Sequence, residues 1–357
     1  MLTRSAALAL TLAPTLASTL VPTLVPTLVP TLVIAEMPAS ARAQDYRGVN
    51  LAGAAYSSNK IPGRYGYDYL FPKPAEITYF HDKGMNIFRL SVLWERLQPA
   101  LRTPLDAAYL GRIDNFISQV HAVGGTVILD IHDYGRYRGT LIGGDSVSAA
   151  DFRDLWTRLG AAFRDRPYVW FGLMNEPQQS SAQDWGDIAQ QAILGARQSG
   201  ARNPVLVSSV NWDAAHGFAG LFGPVAERLR DPAHNMLFEV HEYFDQDSSG
   251  RSPDCIPADQ AVGRLASFTD WLKATHHKGF LGEFGVGRND QCLQDLDRIA
   301  AYLRDNRSVW LGWTYWAAGP LWGEYMYTLE PTKTGQDRPQ MTVLDAYLPQ
   351  GQDRTIR

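Results

Sequence analysis

Two glutamates stand at the ends of apolar runs. Glu176 follows Trp170-Phe-Gly-Leu-Met within Asn175-Glu176-Pro177, and Glu283 closes Gly279-Phe-Leu-Gly. Other polar residues recur at the same place in other runs. Arg89 lies within Asn86-Ile-Phe-Arg89-Leu, and His132-Asp133 follows Val127-Ile-Leu-Asp-Ile. Asn211-Trp212 follows Leu206-Val-Ser-Ser-Val, His241-Glu242-Tyr243 follows Leu237-Phe-Glu-Val, and Trp316 follows Val309-Trp-Leu-Gly-Trp-Thr-Tyr. One protonated and one ionised carboxyl, held at a set separation, are what cleavage of a glycosidic bond requires. Flat indole faces suit sugar rings, and His, Arg, Asn and Tyr reach their hydroxyls. Taken singly, each has a bland reading: Asn175 as a helix N-cap, Glu283 as a structural partner of Arg89, the histidines as satisfied core residues. Pro177 disfavours the α region for Glu176 and is expected to hold it extended. No His/Asp/Glu set has metal-ligand spacing, and neither GxSxG nor a phosphate loop occurs, so no metal and no cofactor is expected.

Seven such sites can act together only if the apolar runs share one rim. The runs are β-branched and do not alternate with polar residues, which marks strands covered on both faces. They begin near Gly48, Asn86, Thr126, Tyr168, Pro204, Met236, Gly279 and Val309. Helical segments separate them, from Pro74 to Gly84, Asp106 to Val123, Ser148 to Phe163, Gln183 to Ser199, Pro257 to His276 and Asp290 to Arg304. Ser148-Ala-Ala-Asp151 has the form of a capping box. Crossover-length helices between strands imply parallel pairing. The fold class is therefore α/β, a single (β/α)8 TIM barrel, in which the C-terminal strand ends form one cleft. No GxGxxG follows the first strand, which argues against a dinucleotide-binding sheet.

Composition narrows the partners. The 357 residues carry 33 basic and 37 acidic side chains, a net charge of −4 with no basic block, which argues against nucleic acid. Two cysteines among 357 residues exclude a disulfide-dense scaffold. Residues 1–43 form a separate object. Arg4 precedes a long apolar stretch with a tandem Thr-Leu-Val-Pro repeat, then Ala39-Ser-Ala-Arg-Ala43. This pattern fits a cleavable export signal cut after Ala41 or Ala43, with a retained membrane anchor as the alternative. Residues 44–357 then form one catalytic domain, secreted or periplasmic, with no membrane association in the mature form and a monomeric state expected.

The ordered set Phe88-Arg89-Leu, Asp130-Ile-His132, Gly172-Leu-Met-Asn175-Glu176-Pro177, Val240-His241-Glu242-Tyr243 and Leu281-Gly-Glu283-Phe-Gly resembles glycoside hydrolase family 5. Within that family it is similar to the bacterial and fungal endoglucanases, from about Tyr46 to Tyr347. The resemblance implies Glu176 as acid/base and Glu283 as nucleophile of a retaining endo-β-1,4-glucanase acting on β-glucan. It implies that Arg89 and Tyr243 hydrogen-bond the nucleophile, that Asn175 and His132 bind sugar hydroxyls, that His241 sits near the acid/base, and that Trp316 stacks beneath the sugar. Arg89 and Tyr243 are expected to favour the ionised form of Glu283. Asp133 stands where many relatives carry Asn, which would add negative charge near the cleft. Trp212 and Trp322 are candidates for flanking subsites, with loop packing as the alternative. Export together with a similar pair in the relatives implies a Cys255–Cys292 disulfide, against two buried free thiols. A β-mannanase, a xyloglucanase and a β-1,3-glucanase share the mechanism, and a non-catalytic glucan-binding protein is the reading from another class.

Overall fold

The computed structural model describes residues 45–349; the expected signal segment lies outside them. Eight parallel strands close into a barrel: β1 Tyr46–Leu51, β2 Ile87–Val92, β3 Thr126–Ile131, β4 Val169–Gly172, β5 Val205–Val207, β6 Met236–Tyr243, β7 Gly279–Gly285 and β8 Trp310–Ala318. Each strand is followed by a helix: α1 Pro74–Asp82, α2 Ala107–Ala122, α3 Ala149–Phe163, α4 Ala182–Gln198, α5 Ala215–Leu221, α6 Ala258–Thr275, α7 Asp290–Asp305 and α8 Pro339–Asp345. The helix ends follow the residues that specify them. Asp106 accepts from Tyr109 N at 2.7 Å to start α2, and Ser148 and Asp151 form the expected capping box of α3. Gly84 ends α1 at φ 98°, a left-handed position that glycine takes at little cost. The second short sheet, Arg136–Tyr137 with Thr140–Leu141, and the helices α5 and α8 were not foreseen.

The barrel interior is layered, because alternate residues of a strand point inward. Its floor is apolar: Ile87, Ile128, Trp170, Leu206, Leu237 and Phe280 pack as one cluster. A shallow hollow of about 410 Å³ opens beneath this floor, between Tyr46, Trp170 and Leu237. Two residues further along the strands the lining turns polar. Arg89 stands above Ile87, Asp130 above Ile128 and Glu239 above Leu237. Room for Glu239 comes from Gly282, where an added Cβ would lie 2.0 Å from the Glu239 carboxyl oxygen. The larger core, with Trp156, Trp271 and Trp310, fills the space between barrel and helices. The disulfide is present: Cys255 and Cys292 are bridged, with Cα atoms 5.2 Å apart, tying the β6–α6 loop to the start of α7.

Candidate active site

Arg89 organises the site from below. It is fully buried, and its guanidinium donates to Asn50 Oδ1 (3.0 Å), Glu283 Oε1 (2.8 Å) and Asn175 Oδ1 (2.9 Å). It also pairs with Asp130 at 3.1 Å and Glu239 at 2.9 Å. A buried charge of this kind persists only when paired and hydrogen-bonded. Burial alone would raise Asp130, yet Arg89 and the His132 hydrogen bond outweigh it and hold that carboxyl below its usual range.

Glu283 lies on β7 opposite His241 on β6, across a register shift between Val240 and His241. Its second oxygen accepts from the Tyr243 hydroxyl at 2.9 Å. Arg89 and Tyr243 therefore flank Glu283 as expected. Arg89 and His241 do favour its ionised form, but burial prevails, and the Glu283 pKa lies above the ordinary carboxylate value rather than below it. The expectation neglected the desolvation of a residue 3% exposed. Gly250, at φ 67°, packs on the Tyr243 ring: a Cβ there would meet it at 2.8 Å.

Glu176 is 9% exposed and faces Glu283 across the cleft. It lies beyond β4, and its φ is 41°, in the left-handed region, not extended as Pro177 suggested. Its backbone N–H donates to Asp213 Oδ2 at 3.0 Å, and that tie prevails over the local preference. His241 Nδ1 donates to Glu176 Oε1 at 2.8 Å and lies 3.7 Å from Glu283 Oε2. Burial would lower the His241 pKa, but Glu283, Glu176, Glu239 and Asp213 surround it and push it well above the ordinary value.

One ligand atom each from Glu176, His241 and Glu283 lies within 4.8 Å of the others, a grouping able to surround a metal ion. Spacing along the chain gave no sign of it, since the fold alone unites the three. Metal ligation needs neutral imidazole. Here the surrounding carboxyls favour the protonated ring, and its Nδ1 hydrogen-bonds Glu176 Oε1.

The remaining sequence candidates converge on the same rim. His132 Nδ1 donates to Asp130 Oδ2 at 2.7 Å, which fixes its ring parallel to Trp316, with 5.7 Å between centroids and 9° between planes. Asn175 is buried on Arg89. Trp212 is 55% exposed and, with Tyr134, Glu176, His241, Tyr243 and Arg251, lines a cleft of about 540 Å³. Trp322 is half-buried: its N–H donates to Ala318 O at 2.9 Å and its ring packs against Trp316 and Tyr325. That is the loop-packing alternative.

Asp133 is not among the residues lining that cleft. It is buried, accepts from Trp94 N at 2.6 Å, and meets Glu95; burial and that second carboxyl raise its pKa well above the usual range.

Sequence reading passed over Asp213 and Glu239. Glu239 carries a signal: it is a charge set between the apolar residues Phe238 and Val240 of β6. Asp213 carries none beyond its place after Asn211-Trp212.

Residues 44–319 match the family described as Cellulase (glycosyl hydrolase family 5). Endo-beta-1,4-glucanase B of Aspergillus niger is 34% identical over 85% of the chain and 90% of its own length. Among solved structures, XacCel5A in complex with cellopentaose is 42% identical, with a TM-score of 0.84 over 85% of this chain and 99% of that one. Pseudomonas stutzeri endoglucanase Cel5A in complex with cellobiose is 32% identical, with a TM-score of 0.80 over 87% and 94%.

Proposed function

The chain belongs to glycosyl hydrolase family 5 and is a glycoside hydrolase, and from that premise we propose that it is a retaining endo-β-1,4-glucanase. The observation that carries the mechanism is the separation of the two carboxyls. Oxygen atoms of Glu176 and Glu283 lie within 4.8 Å. Retaining enzymes hold their carboxyls ~5–5.5 Å apart, whereas inverting ones need ~6.5–9.5 Å to seat a water.

In this reading Glu283 attacks the anomeric carbon while Glu176 donates its proton to the departing glycosidic oxygen. A glycosyl ester forms on Glu283 and the shortened chain leaves. Glu176, now ionised, takes a proton from water, whose oxygen displaces Glu283 and restores both groups. Arg89 and Tyr243 hold the nucleophile's two oxygens on either side, so that it meets the carbon in one orientation. His132, Asn175, Trp316 and Trp212 would contact the sugars. The endo mode is supported by the open, aromatic-edged rim, and the β-1,4-glucan substrate by the relatives' names and the bound cellopentaose of XacCel5A.

Export of the mature chain from residue 42 or 44 belongs to the same proposal. It rests on the N-terminal pattern and on the disulfide, since such bonds persist in oxidising compartments. Reducing-sugar release and viscosity loss on carboxymethyl cellulose, mannan, xyloglucan and laminarin test the activity, with Glu283→Gln as control. Fastest action on mannan, xyloglucan or laminarin would replace the substrate assignment. A 2-deoxy-2-fluoro cellobioside should label Glu283; a label elsewhere, or a first product of inverted configuration, would refute the mechanism.

A further inference from the structure

Three consecutive residues after β5 stand in the left-handed region: Asn211 at φ 62°, Trp212 at 58° and Asp213 at 55°. None is glycine, the residue that takes this conformation without a steric cost. Glu176 adds a fourth strained position at φ 41°. Strain of this kind survives only where surrounding bonds over-determine it.

Those bonds meet at one side chain. Asp213 is fully buried. Its Oδ1 accepts from Ser209 N at the start of the left-handed turn, and its Oδ2 accepts from Glu176 N at 3.0 Å. Its backbone oxygen accepts from His241 N at 2.8 Å, and Ala214 bridges to His241. One residue thus joins the chain beyond β4, the turn after β5 and strand β6. Asp213 does not line the cleft, whereas Glu176, Trp212 and His241 do. It reaches substrate only through them.

The geometry points to Asp213 as the positioning residue of the acid/base, a buried carboxyl that locks strained Glu176 and the Trp212 turn into one unit. The inference rests on the reading of Glu176 as acid/base. Trp212 at 55% exposure is then presented to the sugar on the side where Glu176 protonates the leaving group, and the two move together or not at all.

The test is Asp213→Asn, which keeps the volume but leaves one acceptor oxygen for two backbone donors. kcat/KM is measured on cellotetraose and on 2,4-dinitrophenyl cellobioside, whose leaving group needs little protonation, with Glu176→Ala alongside. A misplaced acid should cost about tenfold or more on cellotetraose and much less on the aryl glycoside. A general defect would lower both alike, and equal losses overturn the proposal. If Glu176→Ala itself shows equal losses, the acid/base reading is what has failed, and the proposal falls with it for that separate reason. Circular dichroism establishes folding. Should the Asn variant not fold, Asp213→Ser is read in the same way, and failure of both assigns Asp213 to the fold alone.

Discussion

His241 Nδ1 donates to Glu176 Oε1 at 2.8 Å, and the same nitrogen lies 3.7 Å from Glu283 Oε2. One imidazole, whose pKa these carboxyls raise, thus faces both of them, and two consequences with opposite pH signatures follow. His241 lowers the proton affinity of Glu283, so removing its charge raises that affinity. His241→Gln should shift the acid limb of kcat/KM to higher pH and lower its maximum roughly tenfold or more. The His241 pKa is raised above 6.5, so its contribution to stability is complete below about pH 6.5 and is lost as pH climbs through the folded-state value. The melting temperature of the wild type should therefore fall more steeply on the alkaline side than that of His241→Gln. An acid limb that stays in place would show that His241 is uncharged in the free enzyme.

The proposed catalytic pair should fail in two different ways. Glu283→Ala removes the covalent step and should be nearly inactive on every glucan. Glu176→Ala should retain activity on an activated aryl glycoside, and azide should accelerate release of its glycosyl intermediate. Azide rescue of Glu283→Ala to a glycosyl azide of retained configuration, with Glu176→Ala giving the inverted azide, would exchange the roles.

Glu330 should make stability depend on pH near neutrality. Burial and the charge of Glu76 raise its pKa to about 7, while it accepts from Gly319 N at 2.7 Å beside the exit of β8. The folded chain keeps a proton that an unfolded carboxyl with a pKa of 4.5 releases. Stability should thus decline as pH rises from about 4.5 through about 7, then level off. Glu330→Gln should flatten this segment of a melting-temperature profile; an unchanged slope would assign it to another group.

Reducing the Cys255–Cys292 bond, or replacing both cysteines by Ala, should lower stability without altering the catalytic pair. The bond spans 37 positions. The entropy model gives ~3–4 kcal/mol for such a loop, a drop in melting temperature of roughly 5 °C for a domain of this size. kcat/KM at 25 °C should change less than about twofold if the bond acts mainly on the unfolded chain.

Gly282→Ala places a methyl group 2.0 Å from the Glu239 carboxyl oxygen. Overpacking of this kind costs about 1–3 kcal/mol. Glu239 is tied to Arg89 and Arg89 to Glu283, so activity should fall along with stability. A stable, fully active variant would show that the buried network tolerates displacement.

The eight strands were legible because apolar runs bounded by capped helices leave few alternatives, and β3 spans Thr126–Ile131 as read. The rim residues were legible because one fold places every strand end together. What escaped notice depends on backbone conformation that no residue type announces. Asn211, Trp212 and Asp213 turn left-handed without a glycine, and the Asp213 bonds that accompany the turn include two to residues far along the chain, Glu176 and His241. The pKa of Glu283 escaped for a related reason. A charged neighbour can be guessed from a motif, whereas the depth of burial beside it cannot.

The apolar floor of Ile87, Ile128, Trp170, Leu206, Leu237 and Phe280 has a consequence for traffic. A vessel closed at the base has no back door. Both fragments of a severed chain must depart along the rim by which the chain arrived, past Trp212 and Trp316. On the proposed role of these tryptophans, departing sugars and incoming ones would compete for the same aromatic edges, and the grip that seats a long polymer would also delay the release of its shorter pieces.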